Sequence, residues 1–400
     1  MTTTSARIAQ AFSLIGHAYM HLLVALFLTV VLALEREWRL PYAELISLWT
    51  AGAFLVGAFA PLAGILGDRW SAPGMMVVFF IGAGLSTIAC GFAEGPVSLA
   101  VALAGLGAFA AIYHPVGMAW LVRTAVNRGM ALGIFGVFGS AGVALAGMVA
   151  AGLVDFVSWR AAFIVPGAIA FATGLALVFC MVMGWVADSS VDRAPHGEPS
   201  RGDMMRAFFV LSLTVFLGGL IYQATQVALP KALAERVAHV ASSGTLGAGT
   251  LFTVIYLVAG LLQVAGGWLV DRYPLKWVYL WTYILQVPLL FATAAAAGVP
   301  FVVAVMLSVV LNTGSLPAEN FLMARYTPSR WRSSAFGAKF VLSLGVTPVA
   351  VQLAAWIQGA TGGFFWLFAV LCASAAVVVV AILALPGESR AEAPVAGAAQ

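Results

Sequence analysis

The chain has 400 residues, of which 62% are hydrophobic and 8% charged, with a formal net charge of +4. Soluble domains average about 25% charged residues, so this balance excludes a water-soluble globular protein and indicates one embedded in lipid. The small positive excess follows from where the loops fall and calls for no nucleic-acid partner.

Apolar runs, each long enough to cross a hydrocarbon core of about 30 Å, are predicted at 10–34, 42–66, 74–94, 97–121, 130–154 and 161–186. A second set is predicted at 206–229, 248–270, 277–297, 299–323, 335–357 and 364–385. The first run can span and lacks the short core and small-residue cleavage site of a signal peptide, so it reads as the first helix. Between the two sets, Asp188 to Arg206 mixes Ser, Pro, Gly and both signs of charge, and includes His196. Such a segment buries little apolar surface and reads as a linker.

The predicted organisation is therefore a bundle at 1–187, a cytoplasmic linker at 188–205, a second bundle at 206–387 and a disordered tail at 388–400. With the N-terminus in the cytoplasm, 13 Lys and Arg fall inside and 5 outside, and Lys339 lies within a span. That asymmetry satisfies the positive-inside rule. The expectation is a monomeric, multi-pass protein of a bacterial cytoplasmic membrane with both termini inside. Cys90, Cys180 and Cys372 lie in separate spans and read as packing residues, with neither disulfide nor CxxC spacing.

Gly64-Ile-Leu-Gly-Asp68-Arg69-Trp70 follows the second run, and Gly267-Trp-Leu-Val-Asp271-Arg272-Tyr273 follows the eighth. A Gly-x-x-x-Asp-Arg repeated at one place in each half signals two copies of one bundle. The motif resembles the connection between the second and third helices of the major facilitator superfamily. Arg123 to Gly129 and the glycines Gly133, Gly136, Gly139, Gly142, Gly147 and Gly152 are similar to that family's fourth loop and fifth helix. Ser158-Trp159-Arg160 through Phe163, with Pro166-Gly167, is similar to the start of its sixth helix, and Arg332-Ser-Ser-Ala-Phe336-Gly337 to the start of its eleventh.

The resemblance, from residue 10 to residue 385, implies an all-α membrane protein of twelve transmembrane helices in two pseudo-symmetric six-helix bundles. It also implies that Gly64, Asp68 and Arg69, with Gly267, Asp271 and Arg272, form a conformational latch. The fifth span lacks the Gly-Pro step common in drug-exporting members.

In that family the first, fourth, seventh and tenth helices line a central cavity, which makes their polar residues the candidate site. These are His17, Tyr19 and His21; Tyr113 and His114; Tyr222, Gln223 and Gln226; and Asn312, Thr313, Ser315, Glu319 and Asn320. His17 and His21, four residues apart, share one helix face. In Tyr113-His114-Pro115-Val-Gly117, Pro115 removes a backbone donor and predicts a kink beside His114. This His-Pro step, with an early His in the first helix, is similar to the fosmidomycin-resistance type of bacterial transporter.

Glu319 and Lys339 are the acidic and basic residues deep within spans, on consecutive helices, and are expected to pair because an unpaired intramembrane charge is costly. His114 is the expected pH-responsive group of the site. Metal binding is not the favoured reading: His17 with His21, and His114 with Met118, supply ligand types at one-turn spacing but lack a neighbouring carboxylate or thiolate.

No GxxxxGK[ST] or G-x-S-x-G string occurs, so no ATP-driven pump and no hydrolase elbow is encoded. The expectation is not an enzyme and has no cofactor. It is a secondary transporter of a small organic solute by alternating access, coupled to protons, with export ahead of import. A passive uniporter, a transition-metal importer using His17, His21, His114 and Met118, and a non-transporting membrane sensor remain open.

Overall fold

The computed structural model describes residues 3–125, 128–186, 201–241, 243–327 and 332–386. Among them are twelve helices long and apolar enough to cross a membrane. The first six are α1 Thr4–Trp38, α2 Tyr42–Arg69, α3 Ala72–Gly91, α4 Pro96–Thr124, α5 Gly133–Phe156 and α6 Ala161–Val182. The second six are α7 Gly202–Arg236, α8 Gly244–Val270, α9 Leu275–Ala295, α10 Gly298–Tyr326, α11 Gly337–Thr361 and α12 Phe365–Leu383. Helices suit lipid because each satisfies its own backbone hydrogen bonds. Two halves of six result, and consecutive helices return to alternate faces.

Several helices outrun their apolar stretches. At about 1.5 Å per residue, the 35 residues of α1 extend well past a 30 Å core. The chain turns where Arg39 takes a left-handed conformation, φ 54°. The second half begins earlier than predicted: its helix starts at Arg201, so 201–205 of the expected linker belong to the first helical turns. The rest of that linker, with His196, and the tail from 388 lie outside the described residues. The Asp68–Arg69 segment is also helical, since α2 continues to Arg69 and Ser71 caps α3 by accepting from the Gly74 amide.

Proline shapes the helices that flank the centre. α4 is interrupted at Ala111 and Ile112, four and three residues before Pro115. The kink predicted beside His114 thus falls just upstream, where a proline leaves the carbonyl of residue i−4 without its donor. α11 breaks at Val346 before Pro348, and there the Thr347 hydroxyl donates to the Leu344 carbonyl at 2.6 Å.

The halves meet along α5 against α8 and α2 against α11. A Cβ on Gly147 would lie 2.6 Å from the Gly249 carbonyl oxygen, and one on Gly57 only 2.7 Å from the Gly345 Cα. Small residues give close backbone contact that hydrophobic burial alone does not favour in lipid. On the face opposite the N-terminus, Lys231 Nζ pairs with Glu35 Oε1 at 2.7 Å and Arg36 donates to Thr245 at 2.8 Å. There too, Asp155 accepts from the Leu246 amide at 2.7 Å, at the N-terminus of α8 where a negative charge is favoured.

Candidate functional site

Part of the polar set predicted to line the centre gathers into two groups, one in each half. In the first, α1 supplies His17 and His21 and α4 supplies Tyr113 and His114. The two α1 rings project from one helix face, with His17 Nε2 and His21 Nε2 3.2 Å apart. His17 Nδ1 donates to the Phe135 carbonyl of α5 at 2.7 Å. That bond leaves the Nε2 lone pair facing His21 when His17 is neutral. The His17 ring stacks on Phe135, at 3.7 Å between centroids, and lies nearly parallel to Tyr113, at 5.3 Å.

His114 completes the group edge-on to both α1 rings, at 5.3 Å from His17 and 5.4 Å from His21. It is 5% exposed, and neither of its ring nitrogens has a hydrogen-bond partner. It does not cap the carbonyl released by Pro115. On its other face it stacks on Phe340 of α11 at 4.9 Å, so the group reaches the second half. Tyr113 is fixed by donating to the Ser13 carbonyl at 2.6 Å.

In the second group, Glu319 of α10 and Lys339 of α11 meet at 2.7 Å, with side chains 4% and 6% exposed. Tyr279 of α9 donates to the other Glu319 oxygen at 2.9 Å, and Lys339 also donates to Asn320. The carboxylate thus has partners on both oxygens, which offsets part of the cost of burying it. Lys339 and Phe340 are consecutive, so α11 carries one residue into each group.

Other predicted residues lie apart. Tyr19 faces α3 and α6, edge-on to Phe80 and 3.4 Å from the Thr173 hydroxyl. Tyr222 turns toward Tyr256 of α8, and with Asn312 they line a narrow cleft between α7, α8 and α10. Gln223 and Gln226 are buried on α7. Thr313 and Ser315 spend their hydroxyls on carbonyls of α10 itself. Met118 is half-buried against the apolar core. Of the predicted latch, Asp68, Arg69, Asp271 and Arg272 are exposed, Gly64 and Gly267 are half-buried, and Arg272 stacks over Trp268 at 4.1 Å.

Sequence reasoning missed Phe135, Gly139, Tyr279 and Phe340. A Cβ on Gly139 would lie 2.4 Å from His17 Cε1, so this glycine leaves the space the ring occupies. Its place in the glycine ladder marked close packing but not what packs there. The aromatic residues carried no signal in an apolar chain of 26 Phe.

Residues 13–236 match the family model described as Major Facilitator Superfamily. The match covers more than half of the chain, and the protein belongs to this superfamily. Membership places it among membrane transporters rather than enzymes. Over 136 residues it is 31% identical to an uncharacterized MFS-type transporter, Rv1250, of Mycobacterium tuberculosis. The match takes in 32% of this chain and only 23% of that relative's length.

Two solved structures of a bacterial homolog to the human lysosomal transporter Spinster share the fold. The inward-facing, unoccupied form superposes with a TM-score of 0.71 at 14% identity, covering 96% of this chain and 95% of that one. The occupied form gives 0.69 at 16% identity, again covering 96% and 95%. At such identity these likenesses define architecture alone.

Proposed function

We propose that the protein is a proton-coupled secondary transporter that moves a small organic solute by alternating access, with export ahead of import. The observation that carries the coupling is the Glu319–Lys339 pair, a carboxylate held between α10 and α11 that also accepts from Tyr279, with Lys339 donating to Asn320 as well. Protonating Glu319 would release Lys339 from its counter-charge, and two conformations that solvate the freed groups differently would change in relative stability. The histidine group in the other half supplies donors and acceptors for the solute. Export draws support from the resemblance of the His114-Pro115 step to the fosmidomycin-resistance type.

In this reading the termini are cytoplasmic and the membrane is the bacterial inner membrane, on the distribution of Lys and Arg. The ties at Glu35–Lys231, Arg36–Thr245 and Asp155 then close the outer face. The Asp68–Arg69 and Asp271–Arg272 segments form the latch of the alternate state. The two six-helix halves, the second beginning at Arg201, are the two moving bodies of a monomer.

The test starts with a solute library screened for thermal stabilisation of the purified protein. A stabilising solute is then added to proteoliposomes holding a pH-sensitive dye. Solute movement accompanied by a pH change in wild type, and without one in Glu319→Gln, is the expected result. Solute flux with no proton movement in wild type would make the protein a uniporter, and binding without flux would make it a sensor.

A further inference from the structure

The ligand nitrogens of His17, His21 and His114 all lie within 4.8 Å of one another. We propose that these three imidazoles bind a divalent late-transition ion such as cobalt, nickel, copper or zinc.

Four observations carry the assignment. His17 Nε2 and His21 Nε2, at 3.2 Å, are already near the spacing of two nitrogens around one ion with bonds of about 2.0–2.1 Å. His114, buried with both nitrogens unpartnered, presents its ring edge-on to the same spot. A buried polar ring without a partner is costly in a membrane interior, and coordination would remove that cost. The Phe135 carbonyl holds His17 by Nδ1, which is how a second shell aims the other nitrogen at a metal. Finally, the missing side chain at Gly139 lets the His17 ring hold this position against α5.

The donor set fixes the class of ion. Imidazole suits copper, nickel and zinc, whereas magnesium and calcium require oxygen ligands. Three neutral donors leave at least one coordination position and the ion's full charge unanswered. The ion therefore brings its own anionic donor, either a simple inorganic anion or the carboxylate of a small organic chelator. His21, half-buried, is the most accessible of the three.

This inference rests on reading the space between the halves as the ligand path, and the experiment separates the two. Full-length protein, freed of any polyhistidine tag, is titrated with cobalt(II) in detergent while visible ligand-field absorption and calorimetric heat are followed. One ion per chain with a nitrogen-rich spectrum is expected, and magnesium should neither bind nor compete. His21→Gln and His114→Gln should each weaken cobalt binding at least about tenfold, as loss of supporting groups does at metal sites. Both variants must retain the wild-type unfolding temperature measured without metal. If His17→Gln fails to fold, these two still decide the question.

Wild-type protein that stays unchanged by cobalt, or variants that bind like wild type, would overturn the site. Proteoliposomes then receive radioactive nickel, free or with excess citrate. Flux of either form supports the site as the cargo's and shows which form is carried. Binding without flux of either form supports the site but overturns the ligand-path reading for metal.

Discussion

The polar centre of the first half consists of imidazole and phenol rings, and that of the second half is an ion pair. Both are largely buried, the first on α1 and α4 and the second on α10 and α11, yet they answer the cost of burial in opposite ways. Glu319 and Lys339 answer each other at 2.7 Å, with Tyr279 and Asn320 taking up further valences. The histidines answer only in part, because His114 has no hydrogen-bond partner. A satisfied group sets structure or a proton store; an unsatisfied one waits for a ligand. α11 joins them, since Phe340 stacks on His114 while Lys339 holds Glu319.

The sharpest break comes from removing one charge. Glu319→Leu or Lys339→Leu should each destabilise the protein by about 3–5 kcal/mol, because an uncompensated charge remains in a low-dielectric interior. The double variant should recover most of that loss. Thermal and denaturant unfolding in one detergent provides the comparison, and additive single effects would dissolve the pair as a unit.

A smaller effect is expected in the first half. Gly139→Ala places a methyl 2.4 Å from a ring pinned by Phe135 and Tyr113, and should cost about 1–3 kcal/mol through overpacking. It should also weaken cobalt binding by displacing His17. Gly133→Ala, with nothing within 4 Å of the new methyl, is the control and should do neither. Equal behaviour of the two variants would mean that the histidine group tolerates displacement.

Removing the link tests whether the centres communicate. Phe340→Ala loses a stacked pair worth about 0.5–1.5 kcal/mol beyond its buried area. Cobalt affinity, which depends on the histidines, should change little. The proton flux that accompanies solute should fall, because Lys339 is no longer held in register with His114. Unchanged coupling would make the two centres independent.

Much of this arrangement was legible in the sequence because lipid makes the rules strict. Apolar length gave the twelve spans, and the shared face of His17 and His21 follows from their spacing. The cost of an isolated intramembrane charge made Glu319 and Lys339 partners before either could be placed. The convergence of His114 on the α1 pair was not legible, since it depends on the break at Ala111 and Ile112 and on the space left at Gly139. Nor was the outward turn of Tyr19, because the rotation of α1 is set by its packing against α5 and α4. The 201–205 helix was missed because its polar residues continue a helix whose stability comes from the apolar residues that follow.

The smallest expected effect sharpens the comparison by burial alone. Glu35–Lys231 has the same chemistry and the same 2.7 Å separation as Glu319–Lys339, but its side chains are 19% exposed rather than 4% and 6%. Partial exposure lets water answer a freed charge, so Lys231→Ala should cost only about 0.2–1 kcal/mol of stability. The pair ties α1 to α7 across the halves, so a loss of that size falls on the conformation in which the tie is made. A shift of 1 kcal/mol changes a two-state ratio about fivefold. Spin labels on the outer ends of α2 and α11 should therefore show a larger open fraction in Lys231→Ala than in wild type. Raising salt should narrow the difference, since screening weakens the exposed pair in wild type as well. A distance distribution identical to that of wild type would remove Glu35–Lys231 from the gate and leave Asp155 and Arg36 to hold that face.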